Sequence, residues 1–119
     1  MAEILVDTDV FVDHLRGARM LPRAVRGLCC SVVTRAELFA GNRGLDQVRA
    51  LLEPLRQIPV DTEIAEQAGR IRRETGIGLA DALIAATALT HSMALATRNR
   101  RDFARVPGLV LQVPDAGTA

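Results

Sequence analysis

Lysine is absent: every one of the 15 basic residues is arginine. That absence excludes a lysine-dependent phosphate loop and any Schiff-base chemistry. It also removes a phosphorylation-switch receiver domain, whose site uses a lysine to sense the phosphate. The bias itself has a sufficient cause in the base composition of a genome. Tryptophan and tyrosine are missing too, and aromatics make up 3% against 49% hydrophobic residues. The core must therefore be Leu, Val, Ile and Ala, a composition suited to a parallel sheet covered by helices. Base stacking is correspondingly a poor recognition device for this chain. The two cysteines, Cys29 and Cys30, are adjacent on an expected strand, so they point to opposite faces. They suit neither a disulfide nor a metal site and read as small buried hydrophobes in a reducing compartment. No apolar run is long: Ala82 to Leu89 is too short to span a bilayer, and Ile4-Leu5-Val6 meets Asp7 too soon for a signal peptide. A soluble, cytoplasmic protein without a membrane partner is expected. With a formal charge of +1, nucleic-acid binding is not announced by composition. If the chain binds a polyanion, an acidic cluster must locally offset its arginines.

What is present is strong alternation of element signals over 119 residues, read as one domain, 1–119, with a frayed tail from about 114. Glu3 to Val6 reads as a buried strand. Asp9 is placed to cap a helix running through about Arg16, with Gly17 ending it. A short helical piece around Leu21 to Arg26 leads to a strand at Leu28 to Cys30. Ser31 caps a helix from Val32 to Ala40, which Gly41-Asn42 is expected to stop in a left-handed conformation. Asp46 opens another helix, with Pro54 near its end. Ile58 to Val60 is an expected strand, and Asp61 caps a helix from Thr62 to Glu74 with an Ile64, Ala68, Ile71 stripe. Leu79 to Thr90 is a helix apolar on nearly every side. Met93 to Ala96 and Leu109 to Leu111 complete the strands, around a short helical turn at Arg100 to Phe103. Strands alternating with helices predict an α/β domain, three layers α/β/α around a mostly parallel sheet. Such sheets bind ligands beyond the carboxyl ends of their strands, where Asp7, Cys30-Ser31 and Thr97 fall.

Each carboxylate on its own has an ordinary reading. Asp7 would cap a helix or form a turn at the strand end, Asp9 would cap a helix (or hold an outer-shell water), and Glu37 would be a solvated helix residue. Asp81 is the informative one. It is the only charged side chain between Glu74 and His91, set among Leu79, Ala80, Ala82, Leu83 and Ile84. Desolvating it there costs roughly several kcal/mol unless a cation or donors compensate, and its place in the first helical turn lets the dipole help keep it ionised. The alternative is a first-turn Asp capping its own helix. Thr97-Arg98-Asn99-Arg100-Arg101-Asp102-Phe103 adds oxygen donors and three arginines, or is an ordinary solvated turn. Taken together, oxygen ligands from separate segments are what Mg²⁺ requires. A bound ion lowers the pKa of its water and offsets charge on a phosphorane-like transition state. No nucleophilic triad is evident at His14 or His91.

Val6-Asp7-Thr8-Asp9-Val10, Ser31-Val32-Val33-Thr34-Arg35-Ala36-Glu37-Leu38 and Leu79-Ala80-Asp81-Ala82-Leu83-Ile84-Ala85-Ala86-Thr87-Ala88 resemble PIN-domain toxins of the VapC type. Leu95-Ala96-Thr97-Arg98-Asn99 with Asp102-Phe103 is similar to that family's closing motif. The resemblance covers nearly the whole chain in order. It implies a homodimeric endoribonuclease that cleaves RNA with Mg²⁺ or Mn²⁺ and is inhibited by a VapB-type antitoxin. It also implies that Asp7 and Asp81 are the principal metal ligands and that Glu37 completes the first site. Asn99 stands where the family often has an acid. It can ligate but brings no charge, so Asp102 would carry more of any second site. Thr8 and Thr97 would donate hydrogen bonds near the phosphate or metal water. Arg98, Arg100 and Arg101 would hold flanking phosphates through bidentate contacts, with RNA shape choosing the substrate.

Two other readings stay open at this level. Asp7-Thr8-Asp9-Val10 also fits the nucleophile loop of a haloacid-dehalogenase-type phosphatase, with Asp7 attacking phosphorus and Asp9 as acid/base. That reading leaves Asp81 unexplained and finds no later acidic pair at a strand end. The other is a PIN fold that sequesters RNA or an antitoxin without cutting, which Asn99 favours.

Overall fold

The computed structural model describes residues 3–17, 21 and 27–112. Among these, five strands, β1 (Ile4–Val6), β2 (Leu28–Ser31), β3 (Arg56–Ile58), β4 (Ala94–Ala96) and β5 (Leu111–Gln112), form one sheet. Its order is β3-β2-β1-β4-β5, and every pairing is parallel. Among the described residues, six helices connect the strands: α1 (Thr8–Leu15), α2 (Val32–Phe39), α3 (Leu45–Leu52), α4 (Thr62–Thr75), α5 (Leu79–Thr90) and α6 (Arg100–Phe103).

The two-residue period of the strands sorts the core into two layers. Leu5 pairs in register with Cys29 and with Leu95, and all three enter one cluster with Ile64, Ala68 and Ile71 of α4, Ile84, Ala85 and Ala88 of α5, and Phe103 of α6. Val6 and Cys30 face the other way, against Val10 and Phe11 of α1, Leu38 of α2 and Val48 and Leu52 of α3. Both cysteines are fully buried, unbridged and on opposite faces, as their adjacency dictates. The result is the expected α/β/α layering, with a fully parallel sheet.

Several boundaries move, each for a local reason. β3 covers Arg56–Ile58, not Ile58 to Val60, because Pro59 has no N–H to donate and ends the ladder. β5 begins two residues later than expected because Gly108, at φ 81°, turns the chain after Pro107. Asp7, not Asp9, is the N-cap of α1. Ala40 closes α2 in a right-handed conformation, and the left-handed residue is Gly44, which precedes α3. α5 runs Leu79–Thr90, and Gly78 occupies its N-cap position, so Asp81 does not cap its own helix. Residues 22–26 of the expected helical piece and the tail from 114 lie outside the described residues. Among the described residues, no helix is long and apolar enough to cross a membrane.

β1 sits at the centre. The chain moves from it to β2 and β3 on one side, then crosses through α4 and α5 to β4 and β5 on the other. The carboxyl ends of β1 and β4 therefore border the switch point at which a parallel sheet opens a crevice.

Candidate active site: an acidic crevice at the strand switch point

Asp7 is the first residue beyond β1, and Thr97 the first beyond β4. The register places Val6 opposite Ala96, so the next position on each strand brings Asp7 to Thr97. The Asp7 N–H donates to Ala96 O at 2.9 Å, and the Thr97 hydroxyl donates to Asp7 Oδ2 at 2.7 Å. Asp7 Oδ1 accepts from the Thr8 N–H at 2.8 Å as the cap of α1. Only 5% of Asp7 is exposed. Burial, then the charge of Asp9, and more weakly that of Asp81, push its carboxyl up to about 7 against the hydrogen bonds from Thr97 and Thr8.

Asp81 projects from the first turn of α5 and is half-buried. Its carboxyl is raised by burial, Glu37, Asp102 and Asp9, in that order, and none of these influences lowers it. This carboxylate is destabilised on every count. Glu37 comes from α2, a helix started by Ser31, whose Oγ accepts from the Val33 N–H at 3.0 Å. Its Oε1 takes a hydrogen bond from the Thr8 hydroxyl at 2.6 Å. Asp9 accepts from the Arg98 N–H at 3.2 Å, yet burial still raises its carboxyl despite the Arg98 charge.

Asp7, Thr8, Asp9, Glu37, Asp81, Arg98 and Asn99, with Val12, line one crevice of about 320 Å³. The other expected residues are arranged around it. Thr97 lies buried beneath the crevice. Asp102 acts on Asp81 through its charge and sits on α6, where the Asn99 amide donates to its Oδ2 at 3.1 Å and Asn99 caps the helix. Arg98 is tied through Nε to Asp13 Oδ2 at 2.7 Å, which leaves its other guanidinium donors for a ligand. Arg100 and Arg101 are exposed on α6 and do not line the crevice. Thr8, expected to face a phosphate or water, instead spends its hydroxyl proton on Glu37.

Two residues of this arrangement escaped the sequence reading. Asp13 lies one turn after Asp9 on α1, an i, i+4 spacing that puts both acids on the face reached by Arg98. Thr34 lies one turn before Glu37 and is fully buried. Spacing would have suggested the first; the second depends on which helix packs beside it.

The donor set is hard oxygen with excess negative charge, which suits Mg²⁺ or Mn²⁺ and suits neither a soft metal nor an anion. Among the described residues, no three His, Cys, Asp or Glu side chains stand close enough to one point to hold an ion as they lie. Glu37 is exposed and Asp81 only half-buried, so both have room to change rotamer, while Asp7 is held from both sides.

This sheet and crevice define the class, because residues 4–109 match the PIN domain family. Ribonuclease VapC10 of Mycobacterium tuberculosis is 44% identical over 113 residues, covering 84% of this chain and 85% of that protein. The tRNA(fMet)-specific endonuclease VapC of Salmonella typhimurium is 31% identical over 97 residues, 71% of this chain and 74% of that one. The DNA-bound VapBC structure from Salmonella typhimurium superposes with a TM-score of 0.78 at 25% identity, covering 94% of this chain and 98% of that one. A toxin–antitoxin complex from Klebsiella pneumoniae gives 0.73 at 29% identity, over 91% and 96%. The chain belongs to the PIN-domain family and, within it, to the VapC-type ribonuclease toxins of toxin–antitoxin systems. The phosphatase reading falls with that membership. Asp9, which would have been its acid/base, accepts a backbone N–H from Arg98 instead.

Proposed function

We propose that the protein is an endoribonuclease dependent on Mg²⁺ or Mn²⁺, which hydrolyses RNA phosphodiester bonds and is held in check by a VapB-type antitoxin. The observation that carries this is geometric: Asp7, Asp9, Glu37 and Asp81, from three separate segments, line one crevice, where burial and neighbouring carboxylates raise Asp7 and Asp81. A protein retains such a cluster at a cost to its own stability, and a divalent cation removes that cost.

Asp7, Glu37 and Asp81 would hold the ion. Asp102 would add charge from α6, and Asn99, engaged with Asp102, at most a neutral oxygen. When bound, the ion supplies a water of lowered pKa and charge neutralisation at the phosphate. The chain's own residues do the rest. Thr97 and the Thr8 N–H fix the direction of both Asp7 oxygens. Arg98 offsets Asp13 and Asp9; its remaining donors, with exposed Arg100 and Arg101 outside the crevice, would meet phosphates flanking the scissile one. The whole chain, 1–119, acts as one nuclease domain, and pairing into a homodimer follows the family pattern.

The test is to incubate purified protein with RNA and Mn²⁺, with and without chelator, beside Asp81→Ala. Cleavage that needs the ion and Asp81 supports the proposal. Cleavage indifferent to both, or RNA binding with no cleavage, rejects it, and the second outcome would make the fold a sequestering module.

A further inference from the structure

The buried hydroxyl of Thr34 makes its contact outside its own helix, as the hydroxyl of Thr90 in α5 does with Gln67 Oε1 at 2.9 Å. Thr75 in α4 and Thr87 in α5 donate to the carbonyl four residues back, each at 2.8 Å, the ordinary resting place for such a group. Thr34 lies in α2 but reaches out of its helix to Thr8 Oγ1, 26 residues away, at 3.0 Å. It is completely buried, where an isosteric valine would pack as well and without a polar atom to satisfy.

The direction of the chain of hydroxyls follows from counting protons. Thr8 Oγ1 has one hydrogen and two near neighbours, Glu37 Oε1 at 2.6 Å and Thr34 Oγ1 at 3.0 Å. A carboxylate can only accept, so the Thr8 proton points to Glu37. The Thr34 hydroxyl must then donate to Thr8. The three groups make one oriented line, Thr34 to Thr8 to Glu37, in which each dipole strengthens the next. Its end is an exposed glutamate with several free torsions, on the edge of the acidic crevice.

We propose that Thr34 is a positioning residue: through the Thr8 hydroxyl it fixes one oxygen of Glu37 and so leaves the other directed for cation binding. It touches neither substrate nor ion. This rests on the proposed reading of Glu37 as a ligand. Outer-shell partners of this kind typically change metal affinity or activity about 10- to 100-fold when removed.

The test compares Thr34→Val, which keeps the shape and deletes the hydroxyl, with Thr34→Ser, which keeps the hydroxyl and loses a methyl. Both are measured for Mn²⁺ affinity by titration of the protein without RNA, and for RNA cleavage. Thr34→Val is expected to fold with a melting temperature near wild type, bind Mn²⁺ about tenfold more weakly or worse, and cleave correspondingly slowly. Thr34→Ser should recover most of both. In the double variant Thr34→Val/Glu37→Gln, the loss should be no greater than for Glu37→Gln alone, because both changes break one line. Thr34→Val with wild-type affinity and cleavage overturns the inference, as do equal losses in Val and Ser or multiplying losses in the double variant. Asp81→Ala separates the two levels. If it cleaves RNA as well as wild type, the reading of the acidic crevice as the ion site fails; if it is dead while Thr34→Val is normal, only the role of Thr34 falls.

Discussion

Replacing Asp7 by asparagine should destroy the activity and yet stabilise the ion-free protein at neutral and alkaline pH. The folded-state carboxyl sits at about 7 against an ordinary value of 3.8. Between those values the native state holds a proton that the unfolded chain has released, so stability falls as pH rises through that window and the loss is complete above about 7. The difference is about 3 pKa units, and at 1.36 kcal/mol per unit it amounts to roughly 4 kcal/mol at pH 8. Asparagine removes that penalty. Its oxygen can still accept from the Thr8 N–H, but its amide would face Thr97, which must then stop donating, a loss of about 1 kcal/mol. The net gain is roughly 2–3 kcal/mol, or about 10 °C in melting temperature for a domain of this size. The assay is a thermal melt in chelator at pH 5 and pH 8. Wild type should melt lower at pH 8 than at pH 5, and Asp7→Asn should change much less. The order reverses with Mn²⁺ at about a thousand times its dissociation constant, where the ion stabilises a competent site by about 4.1 kcal/mol, more than the substitution gains and open only to wild type. A variant less stable than wild type at pH 8 without ion, or a wild-type melting temperature that climbs from pH 5 to pH 8, refutes the electrostatic account of the crevice.

Asp81→Ala should reduce RNA cleavage by more than about 100-fold, beyond the usual outer-shell loss, while melting at or above the wild-type temperature in chelator, because no influence on Asp81 favours its charge; a marked drop in melting temperature would contradict this. Thr97→Val deletes the donor to Asp7 and the acceptor for the Asn99 N–H. It should cost about 1–3 kcal/mol and shift the pH–activity midpoint upward, since that hydrogen bond holds the Asp7 carboxyl down; an unmoved pH profile counts against the assignment. Asn99→Asp sets a second carboxylate against Asp102 in place of the present amide contact. Mn²⁺ titration should show binding tightened by roughly tenfold through the added ligand charge, and melting in chelator should show a less stable ion-free protein; unchanged affinity would place residue 99 outside the ion's reach.

Much of this molecule was determined by the chain alone. The α5 boundaries, the Ser31 and Asp61 caps, the opposed cysteines and the alternation of strands with helices are local properties. They depend on spacings of two to four residues, which the amino-acid order states directly. So does the oddity of a lone acid at Asp81 on an apolar helix. Tertiary structure decided what crosses those spacings. Which aspartate caps α1 depended on β1 ending level with Ala96, since that pairing puts Asp7, not Asp9, at the bend. Arg98 went to Asp13, and Thr34 reached Thr8, because β1 lies between β2 and β4 and brings α1 against both neighbouring segments. Partners 26 and 90 residues apart meet only once the sheet order is set. That order is chosen by the burial of whole faces, which no short stretch of residues encodes.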